Sequence, residues 1–189
     1  ITAFRKDVDK TLLRFLLPWG LVGISAGTAL FKLVSAPVVA GIVGILTLTF
    51  LAQRLLFPPK ADAGPLPVWV GRWLIAAAGF TSFVAHAGGP PYSAYILRLK
   101  LSPIAYTATA AYFYFIINLS KWIPYAWLGL LDLRHFFTSL ALMPVAFASV
   151  WLGIRIARRI EPNLFYRLIY IGMFFTGCKL VWDDFFRIG

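Results

Sequence analysis

Six apolar stretches, most of them close to the length of a membrane crossing and none with a carboxylate in its middle, constrain this chain more than any other feature. They cover 12–33, 36–57, 73–87, 103–120, 136–156 and 164–182. A helix needs ~20 apolar residues to cross ~30 Å of hydrocarbon. Lipid leaves free backbone N–H and C=O groups unsatisfied, so helices and closed barrels are the only spanning structures. All seven acids (Asp7, Asp9, Asp62, Asp132, Glu161, Asp183 and Asp184) fall in connections or at segment ends. Charged residues make up 13% of the chain, against about a quarter in a soluble domain. The expectation is an all-α integral membrane protein. The net charge of +11 raises a nucleic-acid reading, but the Lys and Arg residues scatter among connections and helix ends, as positive cytoplasmic loops require. No nucleic-acid partner is expected; the bilayer is.

The third stretch is broken rather than ended. Gly79-Phe80-Thr81-Ser82-Phe83-Val84-Ala85-His86 runs into Ala87-Gly88-Gly89-Pro90-Pro91-Tyr92. The glycines free the backbone, and the prolines withdraw two N–H groups while favouring the first turn of a new helix. That short helix would point its positive end at the break, an arrangement that attracts anions. With about 15 residues, ~22 Å of helix, the third stretch falls short of a crossing and is expected to be re-entrant. Irregular backbone inside a membrane lines a cavity or lies buried in protein, and such interruptions mark transporter binding sites. The candidate binding residues are therefore Thr81, Ser82, His86, Gly88, Gly89, Pro90, Pro91 and Tyr92. Asn118, an amide within the fourth stretch, joins them. The plainer alternative is a surface loop between two helices.

A shift of 126 positions lays 12–33 on 136–156 and 36–57 on 164–182 without a gap, matching Pro18 to Pro144, Gly27 to Gly153 and Lys32 to Arg158. Two related repeats are expected, 1–57 and 69–189, joined by a Pro/Gly-rich linker at 58–68. A re-entrant third stretch makes the repeats inverted. The third and fourth stretches have no partner in the first repeat, so about 55 further residues are expected upstream. The glycine row Gly20, Gly23 and Gly27 suits close helix approach, within the chain or in a homo-oligomer.

Two rival classes remain. An intramembrane enzyme would use Ser82 as nucleophile and His86 as base at i, i+4 on one helical face, but no acid is near to orient the imidazole, and His135 belongs to another segment. A non-transporting subunit would pack through the glycine rows. No metal-ligand spacing and no cofactor motif occurs, and Cys178 stands alone. His86 is also the candidate for proton coupling, beside a purely structural role. Lys121 and Arg98 read as interfacial anchors at helix ends.

Gly79-Phe80-Thr81-Ser82-Phe83 with His86-Ala87-Gly88-Gly89-Pro90-Pro91 after it resembles the second-half signature of the TauE/SafE sulfite exporters, the toluene sulfonate uptake permeases. Asn118 through Pro124-Tyr125 and Gly129 resemble the family's next stretch beyond that signature. The resemblance implies a transporter of bacterial or archaeal inner membranes with two related halves, moving sulfite, organosulfonates or similar sulfur-containing anions. The chain departs from that pattern in lacking a first-half glycine-rich signature.

Overall fold

The computed structural model describes residues 5–33, 35–56, 66–129 and 134–186. Most of the linker, with Pro58, Pro59 and Asp62, lies outside the described residues, as do Asp132, Arg187 and the side chains of His135, Asp183 and Asp184. The elements are α1 (Lys10–Leu30), α2 (Ala36–Leu56), α3 (Val68–Val84), α4 (Gly89–Ile96) with a 3-10 turn at Leu97–Leu99, α5 (Pro103–Trp127), α6 (Arg134–Ala157) and α7 (Pro162–Phe186). Among the described residues there is no strand. Lys10–Leu30, Leu140–Ala157 and Pro162–Trp182 are long and apolar enough to cross a membrane. The protein is an all-α integral membrane protein.

Helix α1 starts on Asp9, whose side chain accepts from Leu12 N at 2.9 Å and satisfies one of the free N–H groups of the first turn. Its buried residues, Leu16, Gly20, Gly23, Ile24 and Gly27, fall on one stripe at helical spacing. That stripe lies on α3. A Cβ added to Gly23 would come within 2.7 Å of Phe80 N, and one added to Gly79 within 2.9 Å of the Gly20 carbonyl carbon, so the two backbones touch through their glycines. The expected packing role of the row therefore holds, with Gly23 and Gly27 facing α3, while a Cβ on Gly20 would meet Phe113 and Ile117 of α5.

Contacts along these helices fix their directions. The Arg72 guanidinium sits 5.2 Å over the Trp19 ring, and Gly27 lies against Phe83, so α1 and α3 run parallel. Helix α4 folds back along α3: Gly88 lies against Ala78 and Ser82, and Tyr95 lies against Gly71. Helix α5 then runs parallel to α3, from the Ser93–Tyr106 hydrogen bond to the Tyr125 hydroxyl on Phe83 O at 2.9 Å. Gly44 of α2 faces Gly177 and Val181 late in α7, whereas Leu55 shares a groove with Asn163 and Arg167 early in it. Helices α2 and α7 are antiparallel. The Arg158–Asp7 ion pair, at 3.3 Å, joins the α6–α7 turn to the segment before α1. The start of α1, the α4–α5 turn and the α6–α7 turn consequently share one end of the bundle, called here the linker end.

Helix α4 thus returns the chain to the linker end, and an even count of six full crossings does not fit these directions. Three details differ from expectation. Helix α3 stops at Val84, so His86 falls beyond it and the i, i+4 helical pairing with Ser82 does not form. The break lies beside the last turn of α1, where Phe83 meets Gly27 and Phe31, so the 17-residue α3 runs as far as α1 instead of stopping short of it. Helix α5 continues through Pro124 to Trp127, about two turns past the expected end at 120. A proline costs its helix one hydrogen bond, but the contacts of Lys121 and Tyr125 with the hairpin hold the extra turns in place.

Candidate functional site

The break is a set of backbone turns closed by Thr81. Its carbonyl accepts from Ala85 N and Ala87 N at 3.0 and 3.1 Å, while its hydroxyl reaches Ala77 O at 2.8 Å and Ala87 O at 3.1 Å. Thr81 is expected from the sequence to bind an anion, but its single O–H is committed to carbonyls, so it serves as the clasp of the hairpin. Gly88 is also a packing residue, since a Cβ there would lie 2.6 Å from Ala78 O. Gly89 differs, with nothing within 4 Å of an added Cβ. Pro90 and Pro91 occupy the first turn of α4 as expected. Tyr92 N, one of the donors expected to hold the ligand, instead bonds Gly88 O at 3.3 Å. The N–H groups of Gly88 and Gly89 have no backbone partner among the described residues.

Beside the break lies a residue that the sequence alone assigns to a surface. Lys121 is 4% exposed, and its ammonium donates to Ser82 O and Ser82 Oγ, both at 2.7 Å, and to Asn118 Oδ1 at 3.1 Å. All three acceptors are neutral, and the ion pair found among the described residues is the remote Arg158–Asp7. A buried charge without a counter-charge is costly, even when its hydrogen bonds are made. The lysine also orients its neighbours. Ser82 Oγ and Asn118 Oδ1 accept from it, which leaves the Ser82 O–H and the Asn118 amide N–H groups free to donate elsewhere. Ser82 Oγ would lie 3.2 Å from a Cβ on Gly88, so the lysine, the serine and the break form one continuous patch. Lys121 was legible in principle: Tyr106, Phe113, Ile117 and Lys121 occupy one buried stripe of α5.

The remaining expected residues separate. His86 is exposed at the tip of the hairpin with φ 55°, a left-handed conformation uncommon outside glycine, and it lies within electrostatic reach of Lys121. Among the described residues it makes no hydrogen bond with Ser82, so the dyad of the enzyme reading is not assembled. Tyr92 is buried at 1% exposure, its ring stacked on Phe113 at 5.2 Å between ring centres and its hydroxyl without a hydrogen-bond partner among the described residues. On the α2 side of the hairpin, Thr81, Pro90 and Pro91 border a separate cavity of about 550 Å³.

With the broken hairpin and its buried lysine in view, the comparison with known proteins is decisive. The family model for the sulfite exporter TauE/SafE matches residues 1–180. The chain belongs to the TauE/SafE family. Neither a curated protein nor a solved structure matches it. TauE/SafE membership makes it a membrane protein of exporter type, and the site residues rest on the geometry above.

Proposed function

We propose that this protein moves small sulfur-containing anions, sulfite or organosulfonates, across a bacterial inner membrane. The α3–α4 hairpin and Lys121 form the anion site. The observation that carries the reading is the Lys121 ammonium, buried against three neutral oxygens beside the backbone break, with no ion-pair partner among the described residues. An anion at the break supplies the missing counter-charge. It would be held by the N–H groups of Gly88 and Gly89, the Ser82 hydroxyl and the Asn118 amide. His86, at the tip, stands where a proton could accompany the anion.

The opposed directions of α2 and α7 support two inverted repeats, 1–57 and 69–189. The 126-residue shift carries the start of α2 at Ala36 onto the start of α7 at Pro162. Arg98 and Lys100 lie at the linker end, the same end as the Arg158–Asp7 pair, and so add to a basic cytoplasmic face.

The test is sulfite flux in proteoliposomes. Lys121→Met keeps the length and the apolar stem but removes the charge, and flux is expected to fall at least tenfold, equivalent to ~1.4 kcal/mol or more. Lys121→Arg should retain part of it. Parental flux in the Met variant, at normal protein levels, would overturn the reading.

A further inference from the structure

The cavity on the α2 side of the hairpin does not include Lys121, Ser82, Asn118 or His86. Its walls are apolar, with Ile42, Leu46 and Phe50 from α2 facing Val70, Leu74 and Phe80 from α3. Three polar side chains border it: Thr47, Thr81 and Arg98. Both hydroxyls are already used, Thr47 on Val43 O at 2.6 Å and Thr81 on Ala77 O at 2.8 Å. Arg98 is not. Its Nε is buried and has no hydrogen-bond partner. An arginine that merely capped α4 would bond that helix's last carbonyls, and among the described residues Arg98 makes no such bond. A buried donor without an acceptor is uncommon in a native structure; the Tyr92 and Tyr114 hydroxyls also lack a partner, but of the three only Arg98 borders this cavity.

We propose that Arg98 is the anion-binding residue of a second site, at the linker end of this cavity, and that the site takes an organic monoanion with an apolar body. The walls select the body. An inorganic oxyanion would shed its water against surfaces that offer no donor, whereas an aryl or alkyl group gains by leaving water there. The head group meets the guanidinium, whose planar fork suits sulfonate or carboxylate oxygens. A volume of about 550 Å³ falls within the range of small-molecule pockets, ~300–1,000 Å³, mostly apolar with a few placed polar groups. Placing this station on a transport path rests on the function proposed above; binding at Arg98 does not.

The test uses the full chain in zwitterionic phosphatidylcholine nanodiscs, titrated calorimetrically with benzenesulfonate and with its neutral relative benzenesulfonamide. Benzenesulfonate is expected to bind at least tenfold tighter than the sulfonamide. With the charge at the break removed by Lys121→Met, adding Arg98→Gln should abolish that preference and adding Arg98→Lys should keep part of it. If Arg98→Gln does not fold, the preference of the Lys121→Met chain and its partial loss on adding Arg98→Lys carry the test. Equal binding of the two probes, or unchanged benzenesulfonate affinity in Arg98→Gln, overturns the proposal. So does loss of benzenesulfonate binding when phosphatidylglycerol is added, because the occupant would then be a lipid head group. Sulfite flux in the parent reports on the transport reading separately, so either can fail alone.

Discussion

Adding one methyl group to Gly23 should separate the two helices that hold the hairpin in place. A Cβ there would stand 2.7 Å from Phe80 N and 2.9 Å from the Ala76 carbonyl carbon, and closer still to Ala76 O. All three are backbone atoms of α3, so no side chain can rotate aside. Relief requires α1 and α3 to part by ~1 Å, and overpacking of this kind costs about 1–3 kcal/mol or more. For a chain of this size that corresponds to a fall in melting temperature of roughly 2–12 °C. Gly79→Ala meets Gly20 reciprocally and should cost a similar amount. The double variant should cost less than the sum, because one separation relieves both clashes. Gly153→Ala is the control, with nothing within 4 Å of its added Cβ. It should melt at or slightly above the parent, since alanine favours helix. Thermal unfolding in detergent, followed by size-exclusion fluorescence, reads all four. If Gly23→Ala melts with Gly153→Ala, the glycine-mediated approach of α1 and α3 is wrong.

Other outcomes rest on the same geometry. Gly88→Ala should destabilise the hairpin through its clash with Ala78 O, whereas Gly89→Leu, entering open space, should fold normally and abolish sulfite flux. Ser82→Ala removes an acceptor 2.7 Å from an ammonium, a charged hydrogen bond worth ~1.5–3 kcal/mol, and should weaken anion affinity roughly tenfold or more. His86→Gly relieves the positive φ and should leave thermal stability unchanged or raise it by ~1 kcal/mol; a lower melting temperature contradicts the strain reading. Single cysteines at positions 7 and 158, in a Cys178→Ser background, should be labelled from the same face of the membrane; labelling from opposite faces refutes the re-entrant topology.

The sequence carried the scaffold and much of the site, for local reasons. Apolar runs, Gly/Pro punctuation and the short third stretch are statements about a chain's neighbours, and they led to the helices, the break and the fold-back of α4. The 20-23-27 glycine row announced a close approach, although only the fold identified α3 as the partner. Pro124 reads as the stop of its helix, and a lysine just before a helix end reads as an anchor, so the sequence alone misplaces Lys121. Tertiary contacts with Ser82 and Phe83 carry α5 past that proline and turn the lysine inward. Thr81 and Tyr92 belong to the break as expected, but their roles depend on which carbonyls and rings surround them. The Arg98 cavity was invisible, since it forms between α2, α3 and α4 and has no signature in any one segment.

An anion held beside Lys121 at the break can be located with a heavy analogue. Crystals of the protein soaked in selenite should give an anomalous selenium peak within ~6 Å of Lys121 Nζ, adjoining Ser82 and Gly89, and that peak should vanish in Lys121→Met. Selenium density elsewhere with none at the break, or an undiminished peak in the Met variant, would contradict the account.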